Sequence, residues 1–503
     1  MDIYESIRDN RTKIESIYDL AAVCYDYLRM TVDNQAEFLA EYIEYSEEAQ
    51  QNNPNMDMLK QFGYKISKLF LQKDKIYSLD EIVEKTLRTI IEVGQRMTKY
   101  RIEAYNEATI AYYLLQAVDL YTENKTAGSQ DGPLNEKYRH LSYIYRSEGR
   151  GMLAEPAAKL EFRDKIRTTE IRHDFRCIRI LEKAELDLGM NPPKMVTLHI
   201  KDSDQARNSI AQSGKLKIAA IPFSNEELFK FKKTHGSSFH VEYKEQYKSA
   251  AIVKALELLE KAICHKANII IFPEYVCFPE LQERIGEYLR ETYLSKPSQL
   301  KNLLLVVAGS GWTKDYNNVA KIYSYSGKLL GEQYKHDPYD GDDDDGVRWI
   351  EGLHNPGRNS VIVEIPKVGS AMAAICRDVS NRSKTEKMAD VFEIDFLLVA
   401  AWSKSLNGGF SRQLGDITET NITTNSLVCN CCDAVNKQVN YERGIVVTPY
   451  KKNSIIEAKI RIIKGKEKAC TDCTGCIFSI PLSFTTQDVE QGKIVGQITQ
   501  NKL

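Results

Sequence analysis

A layered α/β sandwich preceded by an all-α region is the fold class that the sequence predicts, and three observations carry the prediction. The texture of the chain changes near "GMNPPKM" (189–195). Before that point apolar residues recur at spacings of three and four. After it, short apolar runs alternate with amphipathic helical stretches, and turns such as "SGK" (326–328) join paired runs closely enough to make them antiparallel neighbours. A sheet of that kind needs helices to cover it. The predicted organisation is therefore a helical domain over residues 1–190 and an α/β domain over 195–490.

In the first region Ile14, Ile17, Ala21, Cys24 and Leu28 share one helical face, and "LDEIVEKTLRTIIEVGQRM" (79–97) repeats the same spacing. "NNPN" (52–55) and "ENKTAGSQDGP" (123–133) read as loops between helices, and strand-like runs are nearly absent. The basic stretch "KLEFRDKIRTTEIRHDFRCIRI" (159–180) interleaves acids and isoleucines with its bases. It reads as an ordinary amphipathic helix rather than as an RNA or partner surface.

In the second region "KLKIAAIPF" is a strand, "YKSAAIVKALELLEKAICHKA" a helix and "NIIIFPEY" a strand. "LLLVVAG", "KIYSYSG", "KLLGEQY", "SVIVEIP", "SAMAAIC", "IDFLLVAAW" and "SLVCNCCDAV" continue the series.

Composition excludes little. The 503 residues are 43% hydrophobic and 27% charged, an ordinary globular balance with room for two or three domains. A net charge of −2 gives no electrostatic reason to expect nucleic acid. The first residues, "MDIYESIRDN", lack the apolar core of a signal peptide, and the longest apolar runs are too short to cross a bilayer. Eleven cysteines scattered over a long chain suit a reducing compartment better than a disulfide framework. The expected protein is soluble and cytoplasmic.

Three chemically active residues stand just past apolar strands: Glu274 in "IIIFPEY", Lys335 in "GEQYKHD" and Cys376 in "AAICRD". Strand ends of one sandwich converge however far apart they lie in sequence. A thiol of ordinary pKa, about 8.5, is only slightly ionised at neutral pH, so it needs a base or a neighbouring cation. Taken singly, the cysteine reads as a small buried residue, the glutamate as a solvated loop carboxylate and the lysine as a surface residue. Their joint order reverses that reading.

In these contexts, "FPE", "GEQYK" and "ICRD" in that order, residues from about 215 to 484 resemble the nitrilase superfamily of carbon-nitrogen hydrolases. The resemblance implies a four-layer α-β-β-α sandwich and the following roles. Cys376 is the nucleophile, Glu274 the general base, and Lys335 the cation that stabilises the tetrahedral intermediate. Glu351, in "RWIEGLHNPG", is a second glutamate that orients the lysine. Arg377, through its backbone N–H, and Trp402, closing "IDFLLVAAW", belong to the oxyanion hole and pocket. Asp378 fixes the turn after the nucleophile. The chemistry calls for no metal and no organic cofactor. The implied partners are a small-molecule amide or nitrile substrate and at least one further copy of the chain in a homodimer or larger homo-oligomer, with the helical region available to a protein partner.

The chain departs from that family where the pocket is shaped. "CRDVSNRSKTEKMAD" has no aromatic-Pro-Glu segment after the cysteine, and "YKHDPYDGDDDDGVRW" replaces an apolar stretch after the lysine. The acidic run (337–346) offers charge to a cationic substrate or a divalent ion but fails EF-hand spacing, and it reads as an exposed flexible loop. "CNCC" (429–432) and "CTDCTGC" (470–476) allow zinc by spacing. Alternation along a strand, however, sends Cys429 and Cys431 to the opposite face from Cys432, and the thiols read as reduced. No Gly-x-Ser-x-Gly elbow, Walker loop or His-Glu-x-x-His helix is present. His336 and His354 read as local hydrogen-bonding residues. A binding or signalling module on the same fold, with the helical region doing the recognising, is the alternative function.

Overall fold

The helical face anticipated in the first region forms as the helix Ile17–Thr31, capped by Ser16, whose hydroxyl accepts from Asp19 N at 3.2 Å. In this computed structural model the described residues are 3–39, 81, 83–89, 107–123, 134, 141–146, 170–175, 177–186, 191–198, 204–213, 215–223, 227–234, 236–342, 346–366, 368–379, 382–421, 424–431, 442–452, 455–464, 476–481 and 499–502. The chain divides into two compact units. One comprises Met1–Arg150 with Glu161–Leu186, the other Gly151–Leu160 with Asp187–Leu503.

In the first unit Leu20, Cys24 and Leu28 share a core with Ala111, Leu114 and Val118 of the helix Glu107–Glu123. This unit also contains a two-stranded antiparallel sheet, Ser142–Arg146 with Ile178–Glu182, which the all-α reading leaves out. The end of the stretch read as a basic amphipathic helix thus becomes one 3₁₀ turn, Ile171–His173, and then a strand. Residues 159–169 of that stretch lie outside the described residues. The cause is tertiary. Asp119 accepts from the N–H groups of Cys177 and Ile178 at 2.6 and 2.9 Å, and Asp26 accepts from the Ser142 hydroxyl at 2.7 Å, so carboxylates on the two helices peg both strands. Arg179 is buried, and its Nη1 donates to the carbonyls of Phe175 and Ile178.

Among the described residues the second unit contains two seven-stranded sheets and a smaller four-stranded one. The first sheet runs, edge to edge, Leu329–Tyr334, Asn318–Ser324, Leu305–Trp312, Ile269–Ile271, Lys215–Ala220, Cys476–Pro481 and Thr499–Lys502. The strands of Lys215–Ala220, Ile269–Ile271 and Leu305–Trp312 are parallel. The hairpin through "SGK" is antiparallel, as its short turn requires. The second sheet runs Ile455–Lys464, Glu442–Lys452, Asn425–Asn430, Phe396–Ala401, Gly369–Ile375, Val361–Ile365 and Lys194–Thr197. The expected strands of the α/β region are all present.

The two sheets face each other. Ile218, Ile270 and Val306 of the first share one core with Ala371, Ala373, Leu398 and Leu427 of the second. The helices Glu245–Cys264 and Pro279–Ser295 add Ala255, Leu258, Leu259, Leu281, Ile285 and Leu289 to it from outside the first sheet. The helix Gly409–Asn421 packs on the outer strands of the second. The result is a four-layer α-β-β-α sandwich.

The small sheet, in order Asp340–Asp342, Arg348–Glu351, Ser238–Tyr243 and Phe229–Lys233, corrects one expectation. Asp340–Asp342 of the acidic run is a strand paired antiparallel with Arg348–Glu351, and Arg348 grips the Asp340 carboxylate through two nitrogens at 2.9 and 2.7 Å. A charge read as solvated is the partner of an arginine eight residues beyond it, across a turn. Residues 343–345 lie outside the described residues.

Candidate active site

Glu274 follows the strand Ile269–Ile271 by three residues, where a close approach between neighbouring segments sets its place. Gly309, at φ +60°, forms a bulge in the adjacent strand, and a Cβ there would collide with the Pro273 carbonyl oxygen. Glu274 N donates to Ala401 O of the opposite sheet at 3.3 Å. Lys335 comes directly after Leu329–Tyr334, with its N–H donating to Asn318 O at 2.9 Å. Glu351 ends its strand in the small sheet. Cys376 follows Gly369–Ile375 and opens a 3₁₀ turn, Cys376–Val379.

Two non-glycine residues here adopt left-handed backbone conformations, Tyr275 at φ +64° and Cys376 at φ +45°. Such conformations cost on the order of 1–3 kcal/mol and persist only where the surroundings impose them. Asp378 imposes the second one. Its Oδ1 accepts from His336 N and Asp337 N at 2.8 and 2.9 Å, and its Oδ2 from Ile375 N at 2.9 Å. One carboxylate thus ties the loop carrying Lys335 to the turn carrying Cys376. Burial pushes the Asp378 pKa up to about 7, although the three amides and Lys335 favour its anion.

The four charged or nucleophilic candidates meet in the interior: Glu274, Lys335, Glu351 and Cys376 are all buried. Lys335 Nζ lies 2.8 Å from Glu274 Oε1 and 2.6 Å from Glu351 Oε2. Its remaining N–H is uncommitted among the described residues. Tyr275 Oη donates to Glu351 Oε1 at 2.8 Å, Tyr339 N donates to Glu351 Oε2 at 2.9 Å, and Trp402 N donates to Glu274 Oε2 at 3.0 Å. Asn318 Nδ2 donates to both carboxylates, at 2.8 Å to Glu274 and 3.1 Å to Glu351. The Cys376 thiol has two acceptors for its single proton, the Trp402 carbonyl at 3.9 Å and the Glu274 carboxylate.

Charge balance sets the protonation states. Burial disfavours the Glu274 anion and Glu351 repels it, so its pKa rises to about 7 although Lys335 draws it down. Burial also opposes the Lys335 cation, but Glu274 and Glu351 outweigh that effect and hold the ammonium charged. Burial, reinforced by Glu274, raises the Cys376 thiol well above its ordinary value. Cys376 rests as a neutral thiol beside a carboxylate that titrates near neutrality.

Arg377 is half-buried and its Nη1 donates to Asp340 O, which seats the small sheet against the turn Cys376–Val379. Trp402 contributes its backbone to Glu274 and Cys376, while its ring packs on Phe231 at 5.0 Å and Tyr275 at 6.2 Å. Val241, Trp312, Phe229, Tyr243 and Leu353 extend this apolar wall. His336 is half-buried, bonded to Gln333 Nε2 at 2.9 Å and Ser360 Oγ at 2.8 Å, and held neutral by desolvation of its ring, which lowers its pKa to about 4. His354 is exposed. Cys429 and Cys431 are buried in the core between the sheets. Cys432 and the side chains of Cys470, Cys473 and Cys476 lie outside the described residues. No described helix is long and apolar enough to cross a membrane.

The sequence reading missed Asn318, Tyr275 and Tyr339. Tyr275 sits beside Glu274 in "FPEY" and was available as a signal. Asn318 opens a strand after a turn, and only the pairing of strands brings it to the carboxylates.

Neither a protein-family model nor a curated protein matches the chain. Solved structures similar to it include an amidase from Nesterenkonia sp., at 12% identity over 51% of this chain and 92% of that one, with a TM-score of 0.34. Nit3 of Saccharomyces cerevisiae, a member of branch 10 of the nitrilase superfamily, is 14% identical over 50% of this chain and 91% of its own, with a TM-score of 0.31. A glutamine-dependent NAD+ synthetase from Acinetobacter baumannii is 16% identical over 53% of this chain and 45% of its own, with a TM-score of 0.32.

Proposed function

We propose that the chain is a cysteine-dependent hydrolase of the nitrilase type, acting on the C–N bond of a non-peptide amide or a nitrile. The observation that carries this reading is the buried cluster itself: a thiol, two carboxylates and an ammonium from four separate strand ends, with the ammonium 2.8 and 2.6 Å from the two carboxylates and the thiol beside Glu274. Burying such charges is costly and adds little net stability, so the arrangement calls for a chemical explanation.

For an amide the steps balance as follows. Glu274 takes the Cys376 proton as the sulfur attacks the carbonyl carbon, and the carbonyl oxygen becomes an oxyanion met by the uncommitted N–H of Lys335 and the backbone N–H of Arg377. The oxyanion collapses, the C–N bond breaks, and protonated Glu274 delivers its proton to the departing nitrogen, leaving a thioester. Water then gives a proton to Glu274 and attacks the thioester. The acid departs and the thiol is reprotonated. Glu351, saturated by donors, holds Lys335 in place.

The test is intact-protein mass spectrometry of the full chain with a panel of simple amides, comparing wild type with Cys376→Ala. An acyl adduct on the first and none on the second supports the hydrolase. No adduct on either overturns it in favour of a binding module on the same fold.

A further inference from the structure

Glu274 and Glu351 are both anionic acceptors beside one ammonium, and among the described residues Asn318 is the neutral side chain that bridges them. An amide nitrogen carries two protons in one plane, so its two bonds fix the angle between the carboxylates as well as their separation. Asn318 is completely buried, and its carbonyl also accepts from Lys335 N at 2.9 Å, so a single residue seats the cation's backbone and both anions. Its Oδ1 is buried without a hydrogen-bond partner among the described residues. An amide that leaves its oxygen unsatisfied in order to direct its nitrogen at two carboxylates is costly as a purely structural element. The opposite orientation would set an oxygen against two anions, so the carboxylates dictate the one observed.

The donor count shows what this accomplishes. Glu274 Oε1 is occupied by Lys335 and Asn318, and Oε2 by Trp402 N, which leaves one lone pair on the oxygen away from the lysine. That lone pair is the one available to the thiol.

We propose that Asn318 is a positioning residue for the reaction at Cys376, holding Glu274 ionised and turned so that its single unoccupied lone pair receives the thiol proton. The proposal rests on the reading of Cys376 as the nucleophile and Glu274 as its base. The charged and titratable groups around Glu274 are Lys335, Glu351, Cys376, Tyr275 and Tyr243. Only the lysine is cationic. Loss of Asn318 removes a neutral donor from both anions, so Glu274 keeps its proton to higher pH.

The experiment follows the rate of iodoacetamide alkylation at Cys376 against pH on the full chain, read by peptide mass spectrometry, in wild type, Asn318→Ala, Asn318→Asp and Asn317→Ala. Asn317 is the adjacent buried amide, whose Oδ1 takes Asn355 N and whose Nδ2 takes Asp315 O, and it serves as the control for local loosening. The expected result is a midpoint about one pH unit higher in Asn318→Ala, the shift that one hydrogen bond to an ion commands. It should be higher again in Asn318→Asp, which adds a third carboxylate, and unchanged in Asn317→Ala. A common midpoint in all four, or an equal shift in Asn317→Ala, overturns the proposal. If Asn318→Ala does not fold, the nearly isosteric Asn318→Asp decides alone, and a midpoint at the wild-type value is fatal to the idea. A shifted midpoint with no acyl adduct from any amide refutes the hydrolase and leaves the Asn318 effect standing; an adduct with an unmoved midpoint does the reverse.

Discussion

Glu274 and Glu351 share one ammonium and one amide, and the number of donors around each separates their chemistry. Glu351 receives Tyr275, Asn318, Lys335 and the Tyr339 amide, one for each lone pair, and has no capacity left to take a proton from a nucleophile. Glu274 receives three such donors and faces the thiol. With its pKa raised to about 7, its base form is the minor one below that pH and the major one above it, so alkylation and hydrolysis should both rise as pH increases through about 7. Glu351→Gln removes the negative charge that pushes Glu274 up. Its midpoint should therefore move to lower pH while the maximum rate falls, a pair of changes visible in one pH–rate profile. Lys335→Met leaves two buried carboxylates without their cation. It should cost about 3–5 kcal/mol in urea unfolding and move the alkylation midpoint to higher pH. At this scale the sequence was informative about identities, because strand-end positions for Glu274, Lys335 and Cys376 follow from apolar runs. It was silent about Asn318, whose significance is a distance.

At the level of elements, the strand and turn that carry Cys376 depend on a residue with no part in the proposed reaction. Asp378 collects the amides of Ile375, His336 and Asp337, and so locks the left-handed Cys376 against the lysine loop. Asp378→Asn puts an NH₂ where one oxygen accepts, orphaning at least one buried amide. Melting should reveal a loss of about 1–3 kcal/mol, and Cys376 alkylation should slow because the turn relaxes toward ordinary φ. Gly309→Ala pushes against the Pro273 carbonyl and should displace Glu274, lowering the alkylation rate without altering any ionisable group. The long apolar strands were legible because burial on both faces leaves a continuous apolar run. The strands Asp340–Asp342, Arg348–Glu351 and Ile178–Glu182 were not, because arginine–carboxylate pairing and buried arginine contacts stabilise charged residues that sequence patterning assigns to solvent.

On the scale of the molecule, the sheet that carries Glu274 and Lys335 is closed by distant chain. Cys476–Pro481 pairs with Lys215–Ala220 in continuous antiparallel register, and Lys194–Thr197 pairs with Val361–Ile365 across the other sheet. Ending the chain at residue 470 would leave Lys215–Ala220, one strand from Ile269–Ile271, as an open edge. The expected outcome is a lower melting temperature and self-association on size-exclusion chromatography at concentrations where the full chain remains dispersed. The sequence by itself determined most of the elements of the second unit, its layered α/β character and the strand-end places of Glu274, Lys335 and Cys376, since each follows from local periodicity or from residue type at a strand end, whereas Glu351 came from the family resemblance alone. Only the tertiary structure decided that these four meet in a buried, charge-unbalanced cluster, that Asn318 and Asp378 hold it, and that the first unit pairs two strands against its helices. Those outcomes depend on contacts between segments tens to hundreds of residues apart, where burial and hydrogen-bond satisfaction override local preference.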